Sequence, residues 1–286
     1  MDLHTLLIQE GINPDSTLVM RHCPLQPQIR KWLPSFAAEN PEIYNAYQQC
    51  QSPRVERQLA RARHLASFIG HEPGRALFVG VYENGVPRKV TQRSRDRIPA
   101  YKKLTELGLA NNPGERLWFD LHLTATLERW RGKLVIKWPG REVSFSRWAH
   151  KDSQFEVDVI YDESWLTPSI PDWRTLVLKF DELHRIPKSW KAALREWCGI
   201  YYLFDTGSGT GYVGSACGKE NLLGRWLAYA KTGHGGNRKL RGLKPEGFVF
   251  SILERMSQDI PQDELNRREN EWKVRLHTRE YGLNDN

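Results

Sequence analysis

GIYYLFDTGSGTGYVGSACGKENLLGRWLAYAKTGHGGNRKL, residues 199–240, is the stretch from which the fold can be read outward. Two short strands carry Tyr201 and Tyr212, and a helix after them carries Arg225 and Tyr229 one turn apart. Downstream, FVFSIL at 248–253 reads as another strand, and RRENEWKVR at 267–275 as a late helix presenting Glu269. Strand, strand, helix, strand and helix in this order make a mixed α+β pattern.

At 286 residues the chain has room for two domains, each able to bury its own core. Hydrophobic residues at 40% and charged residues at 27% are ordinary for a globular chain, and no apolar run approaches the ~18 residues that span a bilayer. MDLHTLLIQEG opens acidic, with too short an apolar stretch for a signal peptide, so a cytoplasmic protein without a membrane partner is expected. Cys23, Cys50, Cys198 and Cys217 are scattered without a Cys-x-x-Cys pair, which argues against a zinc site or disulfide framework and for reduced thiols. The net charge of +8 suits a polyanionic partner. From residue 199 onward there are 13 Lys and Arg against 11 Asp and Glu, so about +2 belongs there and +6 to residues 1–198.

Upstream, Leu3, Leu6 and Leu7 have helical spacing, and STLVMRH after Gly11 and Pro14 reads as a strand. Residues 27–69 read as three helical pieces punctuated by Pro34, Pro41 and Pro53. In the third, Val55, Leu59, Ala62 and Ala66 define one face and Arg54, Arg57 and Arg61 another, read either as solvated charge or as a phosphate-contacting surface. ALFVGVY, the Asn84-Gly85 pair and VPRKVTQ predict a β-hairpin, followed by a basic loop and a short helix with Lys102 and Lys103. Residues 116–162 are strand-rich, with a Pro139-Gly140 turn, and predict a β-sheet or small barrel. Trp118, Trp130, Trp138, Trp148, Trp165 and Trp173 crowd this region, as core or as walls of a pocket for a flipped base. Pro168 and Pro171 mark the boundary between an N-terminal α+β domain, 1–170, and a C-terminal one, 171–286.

Gly199-Ile200-Tyr201 and Tyr212-Val213-Gly214 resemble the two tripeptides of the GIY-YIG nuclease family. The likeness continues in order through Gly224-Arg225-Trp226, Ser251-Ile252-Leu253-Glu254, Glu269-Asn270 with Trp272-Lys273, and Gly282-Leu283-Asn284. It covers the last third of the chain and implies an α/β nuclease module there, a small antiparallel sheet flanked by helices. The resemblance implies a phosphodiester-cleaving DNA endonuclease with Glu269 as its single metal ligand, for Mg²⁺ or alternatively Mn²⁺. It implies that Tyr201 and Tyr212 surround the attacking water, that Arg225 stabilises the phosphate, and that Asn284 lies near the site. A free phenol titrates near ~10, so a tyrosine base needs a neighbouring cation such as Arg225 or a proton acceptor. Tyr229 stands where some homing-type relatives carry histidine, and His234 is a second candidate for that acceptor. His234, Asn237 and Lys273 join Arg54, Arg57 and Arg61 as candidate DNA contacts, with residues 1–170 as the DNA reader. A restriction or phage-defence enzyme is the expected role, and with one active centre double-strand cleavage requires either a homodimer or sequential binding. Homing, repair, and a DNA-binding protein with a decayed nuclease are the alternatives.

Overall fold

The computed structural model describes residues 1–49, 51–110, 113–139, 145–218 and 220–285. It is a mixed α+β chain that divides into two compact units, Met1–Pro168 and Ser169–Asn286. Among the described residues no helix is long and apolar enough to cross a membrane.

In the first unit, α1 (Leu3–Gln9) is capped by Asp2, whose side chain accepts from the Thr5 N–H at 2.8 Å. Strand β1 (Thr17–His22) then leads through α2 (Pro27–Glu39), α3 (Pro41–Gln48) and α4 (Pro53–Leu59) to β2 (His64–Gly70). This helical crossover lets β1 and β2 pair in parallel, Thr17 opposite His64 and His22 opposite Ile69. Pro34 sits inside α2 instead of ending it. Its cost of roughly 3 kcal/mol is offset by burying Trp32, Leu33 and Phe36, each worth ~2–3 kcal/mol.

Strand β3 (Arg75–Asn84) returns beside β2. The short pair β4 (Arg88–Val90) and β5 (Arg116–Trp118) stands apart, with α5 (Gln92–Arg95) and α6 (Pro99–Glu106) between its strands. Strands β6 (Leu121–Leu123), β7 (Leu134–Lys137), β8 (Ser146–Trp148) and β9 (Val157–Ile160) complete a seven-stranded sheet of order β8-β1-β2-β3-β7-β9, with β6 also on β3. This path is an open sheet, not a closed barrel, among the described residues. Val19, Ala66, Phe68, Phe78 and Ile136 pack with Leu3, Leu6 and Leu7 of α1, while Tyr44 of α3 bonds Ser67 at 2.8 Å. Helices therefore cover both faces of β2.

Two sequence expectations fail here. Residues 64–70 are strand, not the end of a third helix, because a strand covered on both faces is apolar throughout and loses the alternation that marks an exposed one. The expected hairpin across Asn84-Gly85 is absent, since the Gly85 N–H goes to Asp120 C=O at 2.8 Å and β4 pairs with β5. Gly140 and the neighbouring turn lie outside the described residues.

The second unit is a four-stranded antiparallel sheet of order β10-β13-β11-β12, from β10 (Val177–Lys179), β11 (Cys198–Asp205), β12 (Thr210–Ala216) and β13 (Phe248–Met256). Helices α7 (Lys188–Glu196), α8 (Asn221–Thr232) and α9 (Gln262–Arg275) accompany it. The register pairs Tyr201 with Gly214 and Leu203 with Tyr212. By strand alternation Tyr201, Leu203, Tyr212 and Gly214 share one face, and Ile200, Val213 and Ser215 share the other. The same register carries Cys198 opposite Cys217. These cysteines, expected as free thiols, are disulfide-bonded with Cα atoms 4.7 Å apart, which ties the start of β11 to the end of β12. Cys23 is a free exposed thiol, and Cys50 lies outside the described residues.

Candidate active site

Strand β12 lies at the edge of its sheet, and the two groups of candidate residues flank it from opposite faces. On one face α8 brings Arg225, Trp226 and Tyr229 against Tyr201 and Tyr212. Ring centroids of the three tyrosines stand 6.2–6.3 Å apart. Tyr201 and Tyr229 are fully buried, their hydroxyls 2.8 Å apart, and Arg225 Nε donates to the Tyr201 oxygen at 3.1 Å. The half-buried guanidinium of Arg225 also lies 5.6 Å over the Tyr229 ring.

The glycines of the two tripeptides make this packing possible. A Cβ at Gly214 would strike the Tyr201 hydroxyl and the Tyr212 ring, and a Cβ at Gly199 would strike the Glu254 carbonyl on β13. A larger residue at 214 would push the tyrosines away from Arg225, and one at 199 would part β11 from β13.

Burial, the largest effect, raises the Tyr201 phenol well above its usual range, with Tyr212 adding to it and Arg225 opposing it. Burial likewise raises Tyr229, reinforced by Tyr201. Neither phenol is placed to ionise near neutral pH; both are placed to hold Arg225. The tyrosine oxygens, Tyr201 first, favour its charged form. Tyr212 is the partly exposed member of the three.

On the other face α9 packs Leu265 and Trp272 against Ile200 and Val213. The Trp272 indole donates to Glu254 at 2.8 Å, fixing the rotation of α9 on the sheet. Glu269 then meets Ser215 of β12, whose hydroxyl donates to Oε2, while the Lys273 ammonium sits 2.9 Å from Oε1. Lys273 is 4% exposed. Its ammonium is buried and engaged by Glu269, so it is not an exposed cation of the kind expected for a DNA contact.

The two groups meet along β12. Ser215 and Ala216 line a cleft of about 350 Å³ with Gly224, Arg225 and Ala228. Arg225 thus enters it from the tyrosine face and Ser215, holding Glu269, from the carboxylate face. Among the described residues no three His, Cys, Asp or Glu side chains form a metal-binding group. Glu269 with water and phosphate oxygens has the donor set Mg²⁺ takes when one carboxylate serves it, so the residues fit such an ion.

Asn284 is 1% exposed and holds β12 from outside: its Oδ1 accepts from the Val213 N–H and its Nδ2 donates to the Val213 C=O, both at 2.9 Å. It is a clamp on the edge strand. Asn237, expected at the DNA backbone, donates to Leu283 C=O at 3.2 Å and accepts from the Lys239 N–H at 2.8 Å, so its amide secures the same terminal segment. His234 Nδ1 accepts from the Gly236 N–H at 3.0 Å in the loop that packs on Tyr229. In the other unit Arg54 and Arg57 are exposed on α4, and Arg61 is exposed beyond its end, so the expected three-arginine helical face has two members.

Ser215 was missed from sequence because a serine one residue after the Tyr-Val-Gly tripeptide has no motif of its own. The alternation of β12, which puts it on the α9 face, was the available signal.

Two solved structures are similar to part of this chain. One, the catalytic domain of intron endonuclease I-TevI in a point-mutant form, is 29% identical over 32% of this chain and 94% of its own, with a TM-score of 0.27. Another, the catalytic domain of homing endonuclease I-TevI, is 30% identical over 30% of this chain and 96% of its own, with a TM-score of 0.26. No family model and no curated protein matches the chain.

Proposed function

We propose that this chain is a metal-dependent DNA endonuclease of the GIY-YIG type. Residues 171–286 hydrolyse the phosphodiester and residues 1–170 contact and select the DNA. The observation that carries the reading is a cleft on β12 lined by both Arg225 and Ser215, the residue whose hydroxyl donates to Glu269. Phosphodiester cleavage needs a fixed cation for the phosphoryl oxygens, a carboxylate for a metal, and a polar group at the attacking water.

Arg225, held by the Tyr201 hydroxyl and seated over Tyr229, presents its guanidinium to a phosphate without reorganising at the moment of reaction. Tyr212, partly exposed beside this pair, orients the water and takes part in moving its proton. Glu269 would hold Mg²⁺ or Mn²⁺, which when bound supplies positive charge at the scissile phosphate and the leaving oxygen. Lys273 and Ser215 fix the direction of the Glu269 carboxylate. One such centre cuts one strand, so cleavage of both requires two copies or two binding events.

The biological role we favour is restriction or phage defence. Homing and repair share the chemistry and differ in target. The rival reading, a DNA-binding protein with a decayed nuclease, is disfavoured because the clamp, the tyrosine pair and the carboxylate are all in place. Incubation of the full chain with supercoiled plasmid and Mg²⁺ tests the proposal: nicked circles are expected with the metal and not with chelator. Intact plasmid under both conditions, together with binding to the same DNA, would favour the rival.

A further inference from the structure

The first unit contains a cleft of about 360 Å³ with no part in the site above. It opens where β1 and β2, the parallel pair, end together and their chains diverge, β1 toward α2 and β2 into the 71–73 loop. Ligands settle at such carboxyl ends because the departing segments leave a crevice there. Here the crevice is built from charge. Arg21 and His22, each 4% exposed, form part of its wall, and Arg30 reaches it from α2 with Nε on Pro24 C=O at 2.9 Å. The Arg21 guanidinium lies 5.2 Å from the Trp138 ring centroid, which restrains it. Glu72, an acid in the lining, is engaged by Arg75 at 2.5 Å.

His22 adds no charge: burial pushes it down to about 4, against a weaker opposing bond to Gln48. Arg21 and Arg30 therefore supply the fixed positive charge of the lining.

Beside the cleft stands an aromatic shelf. His71 lines the cleft, bonds the Tyr161 hydroxyl at 3.2 Å and stands edge-on to Tyr161 and Trp165. Tyr161 and Trp165 lie against each other with centroids 5.0 Å apart. Trp165 is 52% exposed, whereas Trp138 is 5% exposed and committed to the core. Of the crowded tryptophans, Trp165 offers an open ring beside His71, which lines the cleft.

We infer that this cleft and shelf bind one phosphorylated nucleotide, its phosphate against Arg21 and Arg30 and its base on Trp165. The inference deepens, and rests on, the reading of the first unit as the part that contacts DNA. Guanidinium groups suit phosphate oxygens and a ring face suits any base. The nucleotide has two sources, a free mononucleotide or one displaced from a DNA strand.

The test uses the full chain without metal and three probes: deoxycytidine monophosphate by calorimetry, and a paired duplex and the same duplex with one bulged nucleotide by fluorescence anisotropy. The wild type is expected to bind the monophosphate or to prefer the bulged duplex, and these arms separate the free from the strand-borne source. Trp165→Ala and Arg30→Gln, both at exposed positions, are each expected to weaken that binding about tenfold with the melting temperature retained. A wild type that ignores the monophosphate and binds both duplexes equally would overturn the inference, as would variants that bind like the wild type. Mg²⁺-dependent plasmid nicking on the same preparations separates the two readings. Its absence with nucleotide binding intact would sink the nuclease and leave the cleft, and normal nicking with no nucleotide selectivity would do the reverse.

Discussion

Each unit buries a polar network that reaches a cleft, and the two differ in what they bring there. The first, closed in the sense that it brings no charge, ends on the His22 ring, whereas the second, open one ends on the Arg225 guanidinium. In the first, Tyr44 bonds Ser67 at 2.8 Å, Ser67 bonds Gln48 at 2.5 Å, and His22 approaches Gln48 at 3.4 Å, with all four side chains at 4% exposure or less. In the second, buried Tyr201 and Tyr229 end on Arg225, which is half-buried and lines a cleft. A closed network spends its hydrogen bonds on fixing one core arrangement. One that delivers a held cation to an open cleft has a group left to offer a ligand. The contrast predicts that damage to the first appears as lost stability and damage to the second as lost chemistry.

The largest expected effect is at the open network's carboxylate partner. Glu269→Ala should lower plasmid nicking about 10³-fold while DNA affinity stays within a few-fold, as single-turnover kinetics and metal-free binding would report. A parallel loss of affinity would make Glu269 structural, like the closed network.

Next comes the closed network's response to acid. The folded His22 pKa of about 4 lies below its ordinary 6.5. The unfolded chain therefore binds the proton first, and stability present above pH ~6.5 is lost as pH falls toward ~4, by up to about 3 kcal/mol. Urea unfolding monitored between pH 7 and 4 should show this slope, and His22→Gln should flatten it.

Tyr212→Phe should slow nicking about 10²-fold, because it removes the partly exposed hydroxyl and keeps the ring. Tyr201→Phe should also slow it, but through Arg225: weaker DNA binding in the metal-free state is expected for Tyr201→Phe and not for Tyr212→Phe. Equal behaviour of the two would erase the distinction between holding and reacting tyrosines. The smallest effect is Gln48→Ala, about 2 kcal/mol of stability from the partner that Ser67 and His22 each lose, with nicking unchanged below the melting transition.

The open network was the more legible from sequence. Its strands, its α8 and the association of Tyr201, Tyr212, Arg225 and Tyr229 follow from local pattern and motif order. The role of Tyr201 did not follow, since burial that raises its phenol depends on Trp226, Tyr229 and Phe250 closing around it from elsewhere in the chain. The Cys198–Cys217 bridge was within reach: the register Tyr201 to Gly214, extended three residues, puts the two opposite each other. The closed network was hidden, because β2 reads as apolar helix until Ser67 is seen facing Tyr44 and Gln48. The Glu269–Lys273 pair shows a different limit. Helical spacing permits it in any exposed helix, and only the burial of Lys273 makes it a holder of the carboxylate.

The claim that β12 joins two faces into one catalytic centre is tested most directly by a double-mutant cycle in Mg²⁺-dependent nicking, with Arg225→Ala, Glu269→Ala and both together. Residues that act as a unit are strongly non-additive, so the double variant is expected to nick no more slowly than the worse single one. Losses that multiply, or a single variant that nicks at the wild-type rate, would contradict a shared centre.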